Sequence, residues 1–246
     1  MDELLRNKLP EYCERKMDGF FAEPLNMLTA ISVSIAAYWA YVVWRDTDRR
    51  DVPGLLLVIG IVFLSASQFV VHSVRHPIAM LFDELPIFIF ILFYFWLMMR
   101  RYLGLDRLMA ALNIGGFVGI MAMVRLLVPR TALGEGAYLL PALGSVFILG
   151  IALVSQARHM DRSHLNFLHD LPAVLDVPKA VKRRSGLQLI GAGALFAVGM
   201  VFRGLDMPLC STFPSGTHWA WHLCASGVLG LLVVAFVHHG PVRGRL

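Results

Sequence analysis

Residues 54–75 read GLLLVIGIVFLSASQFVVHSVR, from Gly54 to Arg75. A helix needs about 20 mostly apolar residues to cross the hydrocarbon core of a bilayer, and this stretch reaches that length before its first full charge, Arg75. Working outward, six further blocks share its character: Pro24–Trp44, Ile78–Met99, Leu108–Val128, Gly136–Ala157, Gly186–Phe202 and Thr217–Val237. None alternates polar and apolar residues as a lipid-facing barrel strand would, so helices are the one way left to satisfy the backbone in lipid. Short polar joints separate the blocks, such as RDTDRRD over Arg45–Asp51, and one longer joint spans Arg158–Ser185. The expected fold is an all-α integral membrane protein. It is a bundle of seven transmembrane helices forming one domain over residues 1–246, with residues 1–23 outside the membrane. That N-terminal segment is charged and lacks the apolar core of a signal peptide.

Composition agrees. Of the 246 residues 57% are apolar and 16% charged, with a mean hydropathy of +0.66, against about 45–50% and about 25% in soluble domains. A soluble enzyme and a disordered tail are excluded, and three cysteines are too few for a small secreted disulfide scaffold. The net charge of +5 does not imply a nucleic-acid partner. The cations lie in the joints, without a basic patch interleaved with aromatics and without a Gly-rich phosphate loop. Of the 22 Lys and Arg residues, fourteen fall in the joints after the first, third and fifth blocks and in the C-terminal tail. Eight fall on the other side. Positive charge collects on the cytoplasmic side, so the N-terminus is expected outside or lumenal and the C-terminus cytoplasmic.

An ionisable group at membrane depth is costly, which makes each one a functional candidate. The set is short: His72, Asp83, Glu84, Arg125, His218 and His222. His218 and His222 are four apart, so a helix stacks both rings on one face. Such a pair can simply hydrogen-bond to neighbouring helices, or it can offer two nitrogens to one metal ion. The topology favours the metal. His72 near the end of the second helix, Asp83 near the start of the third and the His pair at the start of the seventh fall at one depth. Three His with one open position is the coordination of a catalytic zinc, which lowers the pKa of its bound water. Asp83 would accept a proton from that water or orient an imidazole. Glu84, about 100° round the helix from Asp83, reads as a carboxylate favoured by the helix N-terminus. Arg125 reads as snorkelling to the interface. Gly115 and Gly119 form a GxxxG, which reads as close helix packing.

These residues carry a resemblance. Glu11-Tyr12-Cys13-Glu14 with Ala22-Glu23-Pro24-Leu25-Asn26, His72 with Asp83-Glu84-Leu85-Pro86, and Gly216-Thr217-His218-Trp219-Ala220-Trp221-His222 resemble the motifs of the alkaline ceramidase family. They occur in the family's order across nearly the whole chain. The family belongs to a superfamily of seven-helix membrane hydrolases that includes the adiponectin receptors. The resemblance implies zinc held by His72, His218 and His222, with Asp83 as acid and base in hydrolysis of a ceramide amide. It also implies a calcium ion near the N-terminus, with Glu11, Glu14 and Glu23 as acidic ligands and Tyr12 as carbonyl donor. Lys16 stands where the family has an Asn ligand, and Asp18 is the acidic residue that would replace it. Gln68, with Ser67 beside it, stands where the family has a Ser that steadies the oxyanion. A Gln amide is a competent donor for that role, bulkier than Ser. The resemblance further implies a disulfide between Cys13 and Cys210, in a compartment that permits one.

The function expected is hydrolysis of ceramide or a related lipid amide to a fatty acid and a sphingoid-type base, with membrane lipids as surroundings. A different reading keeps the seven helices but makes zinc a structural staple in a lipid-binding or receptor-like protein.

Overall fold

The computed structural model describes residues 12–15, 21–48, 50–73, 79–128, 134–159 and 177–240, with backbone only at 79–81, 134, 135 and 159. Among the described residues the helices in chain order are α1 (Pro24–Arg45), α2 (Val52–Ser73), α3 (Ala79–Arg101), α4 (Arg107–Leu127), α5 (Leu140–His159), α6 (Lys179–Leu205) and α7 (His218–His239). Short 3₁₀ turns precede α5 at Gly134–Leu139 and follow α6 at Met207–Leu209. All seven helices are long and apolar enough to cross a membrane, and there is no strand among the described residues.

Local chemistry sets the helix ends. Pro24 opens α1, where its missing N–H would have had no partner anyway, and the Asp106 side chain caps α4 by accepting from Met109 N at 2.8 Å. Pro86 lies inside α3 without ending it. Two expected boundaries move. α6 begins at Lys179 rather than Gly186, because Lys179, Lys182, Arg183 and Arg184 propagate a helix as well as apolar residues do. The fifth block opens as a 3₁₀ turn and becomes α-helical only at Leu140.

α7 is the most buried helix and packs between α6 and α1, with α5 against α6, α2 against α1 and α3 against α2. The innermost side chains include Leu57, Ile61, Met98, Leu153, Leu189, Val233 and Phe236. α5 and α6 approach closely through glycine: a Cβ on Gly150 would lie 2.8 Å from Ile190 N. The GxxxG of α4 does not do this. A side chain at Gly115 or Gly119 would meet nothing within 4 Å among the described residues, so this face of α4 points away from the bundle. Glu84 also departs from expectation. α3 starts at Ala79, which puts Glu84 past the first turn, and it lies 3.9 Å from Arg125 of α4 instead.

Alternating helix directions bring the start of α1, the end of α2, and the starts of α3 and α7 to one end. At the other end the buried Arg101 guanidinium pairs with Asp51, donates to the Phe236 carbonyl at 3.2 Å and lies 3.5 Å from the Phe236 ring centre.

Candidate metal centre

The last turn of α2 and the first two turns of α7 bring three imidazoles together. His72, His218 and His222 are 0%, 2% and 2% exposed. Their ring centres lie 5.4 Å (His72–His218), 4.6 Å (His72–His222) and 4.8 Å (His218–His222) apart. One ligand nitrogen from each falls within 4.8 Å of the others. The remaining contacts orient the rings. His72 Nδ1 lies 2.6 Å from Glu23 Oε2, and His222 Nδ1 lies 3.0 Å from the Asn26 carbonyl and 3.2 Å from Thr29 Oγ1. With acceptors at Nδ1, each ring carries its proton there and presents Nε2 as a lone pair, the usual way a backing group fixes a metal-binding histidine. His72 Nε2, His222 Nε2 and His218 Nδ1 are all buried without a hydrogen-bond partner among the described residues. Buried polar atoms are nearly always paired. Three orphans on adjacent rings fit a divalent metal ion.

Asp206 sets where α7 starts. Its Oδ1 accepts from Thr217 N at 2.7 Å and His218 N at 2.9 Å, and its Oδ2 accepts from Cys13 N at 3.1 Å. Gly216 has φ +60°, and a Cβ there would collide with Asp206 Oδ1 and come 2.6 Å from Cys13 Cβ, so only glycine fits. A disulfide joins Cys13 to Cys210 with their Cα atoms 5.2 Å apart. The N-terminal segment is thereby tied to the joint that positions His218.

Asp83 is buried beside this cluster. It accepts from the Tyr12 hydroxyl at 3.1 Å on Oδ2 and from Gln68 Nε2 at 3.3 Å on Oδ1. The Tyr12 ring stacks on His218 with 4.1 Å between centres. Burial first, then the Asp83 carboxylate, push the Tyr12 phenol well above its ordinary range, so it stays a donor. Of the two expected oxyanion residues, Gln68 reaches Asp83 and Ser67 does not. The Ser67 hydroxyl donates to the Leu64 carbonyl of its own helix at 2.9 Å, because a serine inside a helix finds that acceptor within reach.

The N-terminal acidic residues have other partners. Glu11 and Asp18 lie outside the described residues. Both Glu14 oxygens cap α1, accepting from Leu25 N at 2.5 Å and Asn26 N at 2.8 Å; burial nevertheless holds this carboxyl above its usual range. Glu23 is fully buried, pairs with Arg15 through Oε1, and accepts from Asn26 Nδ2 at 3.0 Å and from His72 through Oε2. The Tyr12 carbonyl accepts from Arg15 N at 3.0 Å.

An apolar cavity of about 110 Å³ opens from Gln68 and His222 into the bundle, walled by Leu64, Phe90, Phe196 and Trp221 among others. The chain matches no protein-family model, no curated protein and no solved structure. Its chemistry therefore has to be read from its own residues. The sequence reading missed Arg15, Asn26 and Asp206. Asp206 alone left a trace, as a residue type that favours helix starts, but it lies twelve positions before His218.

Proposed function

We propose that this chain is a zinc-dependent intramembrane amide hydrolase of the alkaline ceramidase kind. It would cleave ceramide or a related lipid amide, with its N-terminus outside or lumenal and its C-terminus cytoplasmic. One observation carries the reading: three unpartnered imidazole nitrogens converge beside a buried carboxylate, at the mouth of an apolar cavity. His72 Nε2, His222 Nε2 and a nitrogen of His218 would hold the metal. A zinc ion bound there lowers the pKa of water and polarises a carbonyl.

The chain supplies the rest. The apolar cavity takes the lipid chains and excludes water, leaving the amide against Gln68 and Asp83. Asp83, aimed by Tyr12 and Gln68, takes a proton from the attacking water as oxygen bonds to the carbonyl carbon. The Gln68 amide donates toward the carbonyl oxygen as negative charge gathers on it. Asp83 then delivers the proton to the amide nitrogen, the C–N bond breaks, and a carboxylic acid and an amine leave.

The test is fatty-acid release from a panel of ceramides by purified protein and by Asp83→Asn. Release by the wild type alone is the expected result. Zinc bound in both proteins with no ceramide cleaved by either would replace this reading with the structural-zinc, lipid-binding one.

A further inference from the structure

A calcium ion takes about six to eight oxygen ligands, and the described residues of the N-terminal segment do not present such a set. Among the described residues of the N-terminal segment, every oxygen implied as a ligand already has a partner in the chain. The Tyr12 carbonyl accepts from Arg15 N, the two Glu14 oxygens accept from the first amides of α1, and Glu23 holds Arg15 with one oxygen and His72 and Asn26 with the other. The negative charges are also met. Glu14 sits on the positive end of α1, and Glu23, at 0% exposure, faces the guanidinium of Arg15, whose own side chain is 6% exposed. That guanidinium also lies 5.2 Å from the Tyr12 ring centre.

The geometry points to Arg15 as a built-in cation that does the work of calcium in this chain. Arg15 holds Glu23, and Glu23 holds His72 Nδ1, so Arg15 is a positioning residue for the metal-binding face of His72. A guanidinium is permanently charged, and a covalent cation cannot dissociate. The N-terminal segment and the histidine centre therefore keep their geometry whether or not calcium is present. The inference rests on the proposed function only in taking His72 as a metal ligand.

Purified full-length protein, Arg15→Gln and Arg15→Lys are compared for zinc content and thermal midpoint, in calcium-free buffer without chelator and in millimolar calcium chloride. The wild type is expected to show the same midpoint and zinc content in both solutions. Breaking the buried pair in Arg15→Gln should lower the midpoint by about 10 °C and weaken zinc binding at least about tenfold, as loss of a ligand's backing group does. Arg15→Lys, which keeps the charge, should retain most of both. A saturable rise of the wild-type midpoint with calcium, loss of zinc in calcium-free buffer, or an Arg15→Gln protein unchanged in both measures would overturn the inference. Should Arg15→Gln fail to fold, the calcium response of the wild type and of Arg15→Lys still decides it. The midpoint is read without substrate, so it stands even if no ceramide is cleaved.

Discussion

Two sets of carboxylate and imidazole side chains lie side by side at one end of this bundle, and they differ in what their polar atoms face. In the N-terminal segment the described oxygens implied as calcium ligands face partners in the chain: Glu14 the helix amides, Glu23 the side chains of Arg15, His72 and Asn26, and the Tyr12 carbonyl Arg15 N. In the histidine cluster the backing nitrogens of His72 and His222 are matched, while their opposite faces, and Nδ1 of His218, have no partner. Residue type alone does not separate the two sets. What separates them is the presence of a counter-group: Glu23 Oε1 lies against the Arg15 guanidinium, whereas the three imidazole nitrogens face none among the described residues. A buried polar group without a partner costs free energy unless something binds it. One set locks the chain to itself; the other is arranged so that it could hold a metal ion.

The sharpest way to break this comparison is through Asp83, the buried carboxylate beside the histidines that accepts from the side chains of Tyr12 and Gln68. Asp83→Asn should lower kcat for ceramide about 10³–10⁴-fold, the scale of a lost general acid and base, with zinc content unchanged. Equal activity in steady-state assays would remove Asp83 from the chemistry. Next in size is the covalent tie between the two sets. Replacing Cys13 and Cys210 by Ser should cost about 3 kcal/mol, read as a drop in thermal midpoint of roughly 10 °C; an unchanged midpoint would mean that Asp206 alone holds the strap. Gln68→Ala should slow kcat about a hundredfold, typical of one lost oxyanion donor, with little change in zinc. A rise in KM with kcat intact would instead make Gln68 a binding residue. The smallest effect is expected at Tyr12→Phe. The ring stays on His218 and only the hydrogen bond to Asp83 is lost, so about a tenfold fall in kcat corresponds to a bond to a charged group.

Much of this arrangement could be read from the chain. The apolar blocks were legible because lipid demands an uninterrupted run of apolar residues, and the histidine cluster because topology sets depth and a four-residue spacing sets a helix face. Where the signal was charge, it misled. The basic run Lys179–Arg184 looked like a joint and is the first turns of α6. Glu84 looked like a helix-start carboxylate and lies 3.9 Å from Arg125 of a different helix. The pairing of Arg15 with Glu23 was not legible at all. Eight positions apart, they are brought together by no periodicity, and the Cys13–Cys210 link and the Glu14 cap fix the described residues on either side. The same holds for Ser67 and Gln68, neighbours in sequence that helix geometry sends to different partners.

The central claim is that unpartnered nitrogens of His72, His218 and His222 hold a metal ion. Elemental analysis of the purified protein beside His72→Ala and His218→Ala tests it most directly. Close to one zinc per wild-type chain, lost in both variants while the helical content is kept, is the predicted result. A wild type without zinc, or variants that keep it, would contradict the account.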